Sequence, residues 1–253
     1  MKPNHPIYIP SKGRAESSIT AKVLDSEGID FYIVIEPQDE ESYTKFWDKS
    51  KLLVMAENNM GMAYVRRWIK THSTAQKNAY HWQMDDNIKG FKQRIDGKNI
   101  PMTALKGILE IENFVEKYKN IAQAGFRHVM YAWTQKTEFS LNQQCVSAII
   151  VNNELPITWR DGVVEDTDFS LQVLSLGYCT ILFNRLVMEK MATMVLGGGN
   201  TDMYYKKEGG RLQRQKRLMQ LWPGVFKVKV INGVTRISPS QVWRKFPQVP
   251  LIK

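Results

Sequence analysis

Two aspartates and an asparagine stand together at residues 85–87, directly after the aromatic and apolar run from Tyr80 to Met84. Acidic residues are poor strand formers, and adjacent carboxylates repel each other unless a positive charge lies between them. Oxygen ligands at the end of a buried strand suit a hard divalent cation such as Mg²⁺ or Mn²⁺, which in turn holds a diphosphate. Because Asp and Asn also favour turns, the triplet leaves open both a solvated turn and a metal site formed by Asp85, Asp86 and Asn87.

Other polar side chains follow the remaining predicted strands of the N-terminal half. They are Pro10, Ser11, Lys12 and Arg14 after the first strand, Glu36 after the second, Asn58 after the third, and Arg66 in the helix that leads to Tyr80. In open α/β sheets, ligands bind beyond the carboxyl ends of the strands. The convergence of cations, acids and amides on this edge predicts a ligand site there. An exposed helix face is the alternative for Arg66 and its neighbour Arg67.

A second acidic group, Glu165-Asp166-Thr167-Asp168, precedes the predicted helix 169–176. Acids in a first helical turn complement the helix dipole and cap free amides. Helix capping alone therefore explains these residues as well as a catalytic role does.

The alternation of apolar runs and helical repeats predicts an α/β protein with a mostly parallel, Rossmann-like sheet flanked by helices. In the N-terminal half we predict strands at 7–10, 31–35, 52–55 and 80–84, and helices at 16–26, 40–49 and 62–75. Beyond Asn87 we predict helices at 103–124 and 169–176, and strands at 129–133, 145–151 and 178–183. The Gly-Gly-Gly-Asn run at 197–200 predicts a loop that approaches a phosphate, serves as a lid hinge or only connects two elements.

The net charge of +10 is concentrated near the C-terminus. After Met203 there are twelve Lys or Arg residues and one acid, Glu208, so the rest of the chain is nearly neutral. Aromatic side chains are interleaved with this charge, namely Trp222, Phe226, Trp243 and Phe246. Such a segment is typical of proteins that bind a polyanion, with nucleic acid as the first candidate. The candidate DNA-binding residues are Lys206, Lys207, Arg211, Arg214, Lys216 and Arg217. A solvated basic tail is the alternative.

The composition argues against several classes of protein. With 43% hydrophobic and 24% charged residues, the chain is typical of a globular domain. We find no stretch apolar enough to span a membrane and no signal peptide. Cys145 and Cys179 form no Cys-x-x-Cys pair, so zinc and redox motifs are absent. We therefore expect a cytoplasmic protein without a membrane partner.

Three features, in chain order, resemble the GT-A nucleotide-sugar glycosyltransferases. They are the Pro-Ser-Lys-Gly-Arg loop at 10–14, the Gly-x-x-x-x-Arg-Arg helix at 61–67 before the Asp-Asp-Asn strand end, and the acidic group at 165–168 with its Asp-Phe-Ser-Leu-Gln-Val-Leu-Ser-Leu-Gly helix. Ile-Pro-Ser-Lys-Gly-Arg, Glu-Pro at 36–37 and Asp-Asp-Asn-Ile are similar to the TET/JBP-associated glycosyltransferases. Those are found mainly in phages and are implicated in glycosylating hydroxymethylated pyrimidines in DNA. The resemblance spans about residues 6–200, and Asn87 departs from a strict Asp-x-Asp.

The resemblance implies a GT-A domain at 1–200, with a donor half at 1–90 and an acceptor half at 91–200, and a basic segment at 201–253 that packs on it and contacts nucleic acid. It also implies that the strand-end residues and Arg66 bind a UDP-sugar, and that Mn²⁺ or Mg²⁺ on the triplet holds its diphosphate. Asp166 is then the general base of an inverting transfer to a hydroxymethylated pyrimidine in DNA, with Glu165 or Asp168 as a substitute. A phage-encoded enzyme of this kind would act in the cytoplasm of the host cell.

Two other interpretations remain open at this stage. One is a nucleotidyltransferase, or a glycosyltransferase with a non-DNA acceptor, against which the basic C-terminal segment argues. The other is a catalytically inactive DNA-binding relative, against which the retained Asp85, Asp86 and Asp166 argue.

Overall fold

The computed structural model describes residues 2–191, 197–199, 210–231, 234–237 and 249–253. Within them, ten strands form one large sheet, in the order β3-β2-β1-β4-β9-β7-β10-β5-β6 with β8 beside β10. The strands are β1 (Ile7–Pro10), β2 (Tyr32–Ile35), β3 (Leu52–Val54), β4 (Tyr80–Met84), β5 (Ile88–Ile95), β6 (Lys98–Met102), β7 (Ile121–His128), β8 (Phe139–Leu141), β9 (Ala148–Asn152) and β10 (Cys179–Lys190). The helices are α1 (Ile19–Ser26), α2 (Glu40–Tyr43), α3 (Met62–Ala75), α4 (Ala104–Val115), α5 (Glu165–Ser175) and α6 (Gly210–Leu221), and β11 (Val228–Ile231) pairs with β12 (Val234–Ile237) as a separate ribbon.

The N-terminal half is parallel, because helices carry the chain back between its strands. β1 pairs in parallel with both β2 and β4, and β2 pairs in parallel with β3. Ile7 and Ile9 of β1 face a core cluster that includes Leu24 of α1, whereas Tyr8 faces a second cluster that includes Ile69 of α3. Burial on both faces explains the continuous apolar runs in these strands. It also brings the polar residues that follow them to one edge.

The second half of the sheet mixes strand directions. β9 is antiparallel to both β4 and β7, whereas β7 is parallel to β10. β4, β7 and β10 therefore end at the same edge of the sheet. β10 is long and irregular, since its first part pairs with β8 and its last part, Leu186–Lys190, pairs with β5.

The predicted helix 103–124 is wrong in its last turns, and the predicted strand 129–133 is wrong. The helix ends at Val115, and β7 begins at Ile121, eight residues before the predicted strand. Short apolar runs such as this one fit both helical and extended patterns. Gly125 fits the extended conformation, because it lets β7 pack very close to β9. A Cβ at this position would lie 2.4 Å from the carbonyl oxygen of Ala148. Residues 129–131 form a 3-10 turn instead.

Other boundaries differ by smaller amounts. α1 begins at Ile19 rather than residue 16, α2 is a single turn that ends at Tyr43, and α5 begins at Glu165 rather than residue 169. The β5–β6 hairpin was missed, although its Asp96-Gly97 turn, with φ values of +48° and +79°, follows a known two-residue hairpin signal. No described helix is long and apolar enough to cross a membrane.

The last described residues return to the sheet domain. Asn120 anchors them: its side chain donates to the carbonyl oxygen of Pro250 at 2.7 Å and accepts from the Ile252 amide at 2.8 Å. Val249 and Leu251 pack against the main core. The C-terminus is therefore tied to the sheet at the start of β7.

Candidate active site

The loop after β1 is joined to the acidic triplet by Asp86. The Asp86 carboxylate accepts a hydrogen bond from the Ser11 hydroxyl at 2.8 Å and forms a 2.6 Å ion pair with Arg14. Burial raises the pKa of Asp86, and the Arg14 charge and the Ser11 hydroxyl offset part of that rise. Tyr43 completes the contact, because its hydroxyl lies 2.7 Å from Ser11 Oγ. Both carboxylate oxygens of Asp86 are therefore engaged with the first loop.

A second ion pair joins the loops after β1 and β2. Lys12 Nζ lies 2.8 Å from the buried carboxylate of Glu36 and donates to Asn59 Oδ1 at 2.6 Å. The predicted Asn58 accepts instead from the backbone amide of Gln38 at 3.0 Å, which fixes the turn after β2. Asn59, which the sequence did not single out, is thus the amide that contacts the lysine.

The glycine loop at 197–199 lies on the first loop. Arg14 Nε donates to the Gly197 carbonyl oxygen at 2.9 Å, and the Gly199 amide donates to the Lys12 carbonyl oxygen at 2.8 Å. A Cβ on Gly198 would lie 2.6 Å from the Gly13 carbonyl oxygen, so only glycine permits this approach. The structure thus places residues 197–199 against the first loop, and the phosphate-binding, hinge and connector interpretations of this run stay predictions.

Asp85 faces a different cation, Lys190 at the end of β10. Lys190 Nζ lies 2.5 Å from Asp85 Oδ2 and 3.0 Å from the Ser147 hydroxyl. Burial alone would raise the pKa of Asp85, but the charges of Lys190 and Arg66 outweigh it and lower the pKa. Lys190 was missed because the predicted strand stopped at residue 183. The alternation of Leu186 and Met188, both in the core, is the signal that would have extended it.

Arg66 joins the N-terminal half of the sheet to the second acidic group. Its guanidinium is 4% exposed, lies 3.0 Å from Asp166 Oδ1 and donates to Gln83 Oε1 at 2.9 Å. Burial raises the pKa of Asp166 and the nearby Asp85 adds to the rise, whereas Arg66 and Lys190 lower it. Arg67 instead contacts Asp161, at 2.8 Å. Only the first arginine of the pair therefore reaches the site.

Glu165 is a second carboxyl of the site whose pKa is raised. Its side chain is buried, and its Oε2 atom has no hydrogen-bond partner among the described residues. Burial and the neighbouring Asp166 raise the pKa of Glu165 to about 7, and the charges of Arg66 and Arg214 act against that rise. The influence of Arg214 shows that the basic helix α6 lies close to this acidic group.

Asp168 has a structural environment. Its fully buried carboxylate receives hydrogen bonds from Arg160, from Gln172 at 2.8 Å and from the indole of Trp222 at 2.8 Å. Arg160 also lies over the Trp222 ring, with its guanidinium carbon 5.6 Å from the ring centroid. Asp168 and Trp222 thus dock α6 onto α5, which leaves Asp166 as the more accessible carboxylate of the acidic group, 20% exposed.

The triplet can supply oxygen ligands for a divalent cation. Within the described part of the chain, the buried Asn87 Oδ1 has no hydrogen-bond partner, and Asp85 contacts Lys190 through Oδ2. Across the described ranges, no three His, Cys, Asp or Glu side chains are grouped so that they could hold a metal by themselves. Since Mg²⁺ is commonly held by one or two protein carboxylates plus substrate phosphates, this thin set of ligands fits a metal that binds together with a nucleotide.

The structure thus brings the predicted strand-end residues to one edge, with Arg66 and Asp166 at its centre. The predicted DNA-binding residues are only partly described: Lys206 and Lys207 lie outside the described residues, and for Arg211 only the backbone is described. Arg214, Lys216 and Arg217 lie on α6 and line a surface cavity of about 620 Å³ with Asp161 and Gly162. This cavity is at the end of the molecule that carries Glu165.

Comparison with known structures identifies the class of fold. The crystal structure of GalNAc-T7 with UDP, GalNAc and Mn²⁺ matches with a TM-score of 0.55 at 9% sequence identity, and the match covers 87% of this chain and 48% of that chain. The chain thus spans about half the length of GalNAc-T7. Apo UDP-glucose pyrophosphorylase matches with a TM-score of 0.44 at 8% identity, over 76% of this chain and 92% of that chain. The predicted α/β fold of the GT-A glycosyltransferase type is confirmed.

The family follows from the sequence match. The TET-associated glycosyltransferase family matches residues 5–199, and the chain belongs to this family. No curated protein matches the chain. The predicted family and the predicted class, a glycosyltransferase, are confirmed.

Proposed function

We propose that this protein transfers a sugar from a nucleotide-sugar, with UDP-sugars as the first donors to test, to the hydroxyl of a hydroxymethylated pyrimidine in DNA. One observation supports this most directly. A single edge of the GT-A sheet carries the first loop, the triplet and the pair of Arg66 with Asp166, within a domain matched to the TET-associated glycosyltransferases.

The donor site is built around a diphosphate. When the glycosidic bond breaks, negative charge develops on the leaving diphosphate, and fixed cations nearby stabilise it. Arg14, Lys190 and Arg66 are held on this edge by Asp86, Asp85 and Asp166, respectively. Glu36 and Asn58, at the ends of β2 and β3, are proposed to contact the nucleoside, with Pro10 and Ser11 forming the floor.

Asp85 and Asn87 are the proposed protein ligands of Mn²⁺ or Mg²⁺. A divalent cation there supplies Lewis-acid stabilisation of the leaving diphosphate. Asp86 is the less available ligand, because Ser11 and Arg14 already engage both of its oxygens. Asp86 therefore positions the first loop, and Asp85→Ala is expected to weaken Mn²⁺ binding in the presence of UDP more than Asp86→Ala does.

Asp166 is the proposed general base. Its carboxylate is partly exposed on the edge of the sheet, and its raised pKa makes it a stronger base than an ordinary aspartate. Arg66 orients it at 3.0 Å. Glu165 is less suited to this role, because its side chain is buried whereas that of Asp166 is partly exposed.

The basic helix α6 supports DNA as the acceptor. Lys216 and Arg217 are exposed on it, while Arg214 approaches the acidic group. Phosphate contacts by such residues make affinity depend steeply on salt. Helix α6, which binds the DNA phosphates in this proposal, would then lie beside Asp166, the proposed general base.

The test is transfer itself. Hydroxymethylated DNA is incubated with a panel of nucleotide sugars and Mn²⁺, and its nucleosides are analysed by mass spectrometry. We expect Asp166→Asn to lower the transfer rate by roughly 10²–10⁴-fold, the usual contribution of a general base. Asp30→Asn, a matched change of an exposed carboxylate just before β2, at the opposite edge of the sheet, is expected to leave the rate unchanged.

The same assay separates the other functions. Hydrolysis of nucleotide-sugars without any modified nucleoside would point to a non-DNA acceptor. DNA binding without either reaction would point to an inactive relative. Transfer at the wild-type rate by Asp166→Asn would refute its role as the base.

A further inference from the structure

Two aromatic side chains on the turn after β7 are exposed to an unusual degree. Tyr131 is 64% exposed and Trp133 is 70% exposed, and Met130 beside them is 57% exposed. Between them Ala132 is fully buried, so the turn is anchored while the aromatic side chains project. Exposed aromatic side chains grouped in this way mark interaction sites rather than packing.

The turn lies at the edge of the sheet that carries the candidate active site. β7 is parallel to β4 through β9. Gln83 of β4 and Gly125 of β7 both pair with Ile149, so β7, which ends at His128, continues about two residues past the end of β4 at Met84. Two strand spacings separate them, roughly 10 Å. At the end of β7, His128 lies opposite Met188, two residues before Lys190, and its ring lies 5.9 Å from the ring of Tyr131. The aromatic turn therefore begins next to the ion pair of Lys190 with Asp85.

The surface beside this turn is basic and polar. The guanidinium carbon of Arg94 lies 5.9 Å from the centroid of the Trp133 ring, and Arg94 also donates to Asn99 across the hairpin. Lys92 lies on the same face of β5 as Arg94 and forms an ion pair with Glu189. Phe91, on the opposite face, is buried in the core. An exposed aromatic pair with a guanidinium over one ring suits a ligand that has both flat π-faces and negative charge.

We propose that Tyr131 and Trp133, with Arg94, hold the acceptor nucleobase after it leaves its stack, or the base next to it, in a DNA strand. This inference rests on the proposed DNA acceptor and places its base-contacting surface on the β7 turn, whereas α6 contacts phosphates. Unstacked bases bind aromatic side chains without regard to sequence, and arginine adds attraction to the adjacent phosphate. A nucleobase whose hydroxyl must reach the carboxylate that accepts its proton has to leave the duplex first.

The experiment measures binding of a single-stranded hydroxymethylated oligonucleotide by fluorescence anisotropy over a range of salt concentrations. We expect the double variant Tyr131→Ala, Trp133→Ala to bind roughly tenfold or more weakly, as loss of base stacking predicts, with an unchanged salt slope. Tyr131→Phe and Trp133→Phe keep the rings and are expected to bind like the wild type. Lys216→Ala with Arg217→Ala is expected to lower the salt slope instead.

Hydrolysis of nucleotide-sugars in the absence of DNA separates this inference from the proposed function. If the wild type binds and glycosylates DNA but the alanine pair leaves affinity unchanged, the aromatic surface is wrong and the function stands. If the wild type hydrolyses donors but binds no oligonucleotide, the DNA acceptor and this surface fail together. Self-association of the wild type that the alanine pair abolishes, seen by sedimentation, would assign the surface to a second copy of the chain and overturn the proposal.

Discussion

Replacing Glu165 by glutamine should remove the contribution of this residue to the pH dependence of the free energy of unfolding. Burial and the neighbouring Asp166 raise the pKa of Glu165 from 4.5 to about 7 in the folded protein. In the unfolded chain the residue ionises near its ordinary value. Between these two values the folded state retains a proton that the unfolded state has lost, so the free energy of unfolding falls as the pH rises.

The size of this effect follows from the shift. Each pKa unit is worth about 1.4 kcal/mol, so ionising the buried Glu165 costs the folded state about 3 kcal/mol once the pH exceeds 7. Glutamine occupies nearly the same volume and cannot ionise. We compare the free energy of unfolding of Glu165→Gln with that of the wild type. The difference, in favour of the variant, is expected to grow by about 3 kcal/mol between pH 4.5 and pH 8.

Urea denaturation of both proteins at pH 4.5, 6 and 8 measures this difference. Glu41→Gln, which removes an exposed carboxylate of α2, serves as the control and should follow the wild type at each pH. Parallel stability curves for Glu165→Gln and the wild type would refute the assignment of a buried, raised pKa to this carboxyl.

The remaining predictions concern the docking of α6, the glycine loop and the triplet. Asp168→Ala should lower the free energy of unfolding by about 1–3 kcal/mol, because it leaves the partly buried donors of Arg160 and Trp222 without their carboxylate; no loss by urea denaturation would contradict this. Gly198→Ala should raise the donor KM by roughly 5- to 30-fold, from about 1–2 kcal/mol of backbone strain and a clash with the first loop, whereas Gly90→Ala, which meets open space, should not. Lys190→Met should tighten Mn²⁺ binding, measured by electron paramagnetic resonance with UDP present, since the ammonium and the metal compete for Asp85; weaker binding would show that Lys190 supports the site instead.

The N-terminal half of the sheet was the part of the fold that could best be predicted from the sequence. Strand β4 and helix α3 have the predicted bounds, because apolar runs buried on both faces and a long amphipathic repeat are strong local signals. The second half was harder to predict. β7 could not be separated from the end of a helix by periodicity, and the close contact of Gly125 with β9 depends on a strand that lies elsewhere in the sequence.

The candidate site shows the same division. Ser11, Arg14 and Asp86 could be grouped from the sequence, because each follows a strand of a parallel sheet and such strands end at one edge. Lys190 could not, since its partner Asp85 is 105 residues away and their meeting depends on the antiparallel pairing of β10 with β5. The contacts of Arg160 and Trp222 with Asp168 could likewise not be predicted from the sequence, because they depend on the packing of α6 against α5.

The sequence by itself therefore determined which residue types stand at the strand ends, the concentration of positive charge near the C-terminus and the family to which the chain belongs. Only the tertiary structure decided which cation serves which carboxylate, that Asp168 is structural while Asp166 is partly exposed, and that Tyr131 and Trp133 project beside the site. The physical reason is that local patterns set the direction and burial of each strand, whereas the order of strands in the sheet sets which ends meet. That order arises from packing between distant segments.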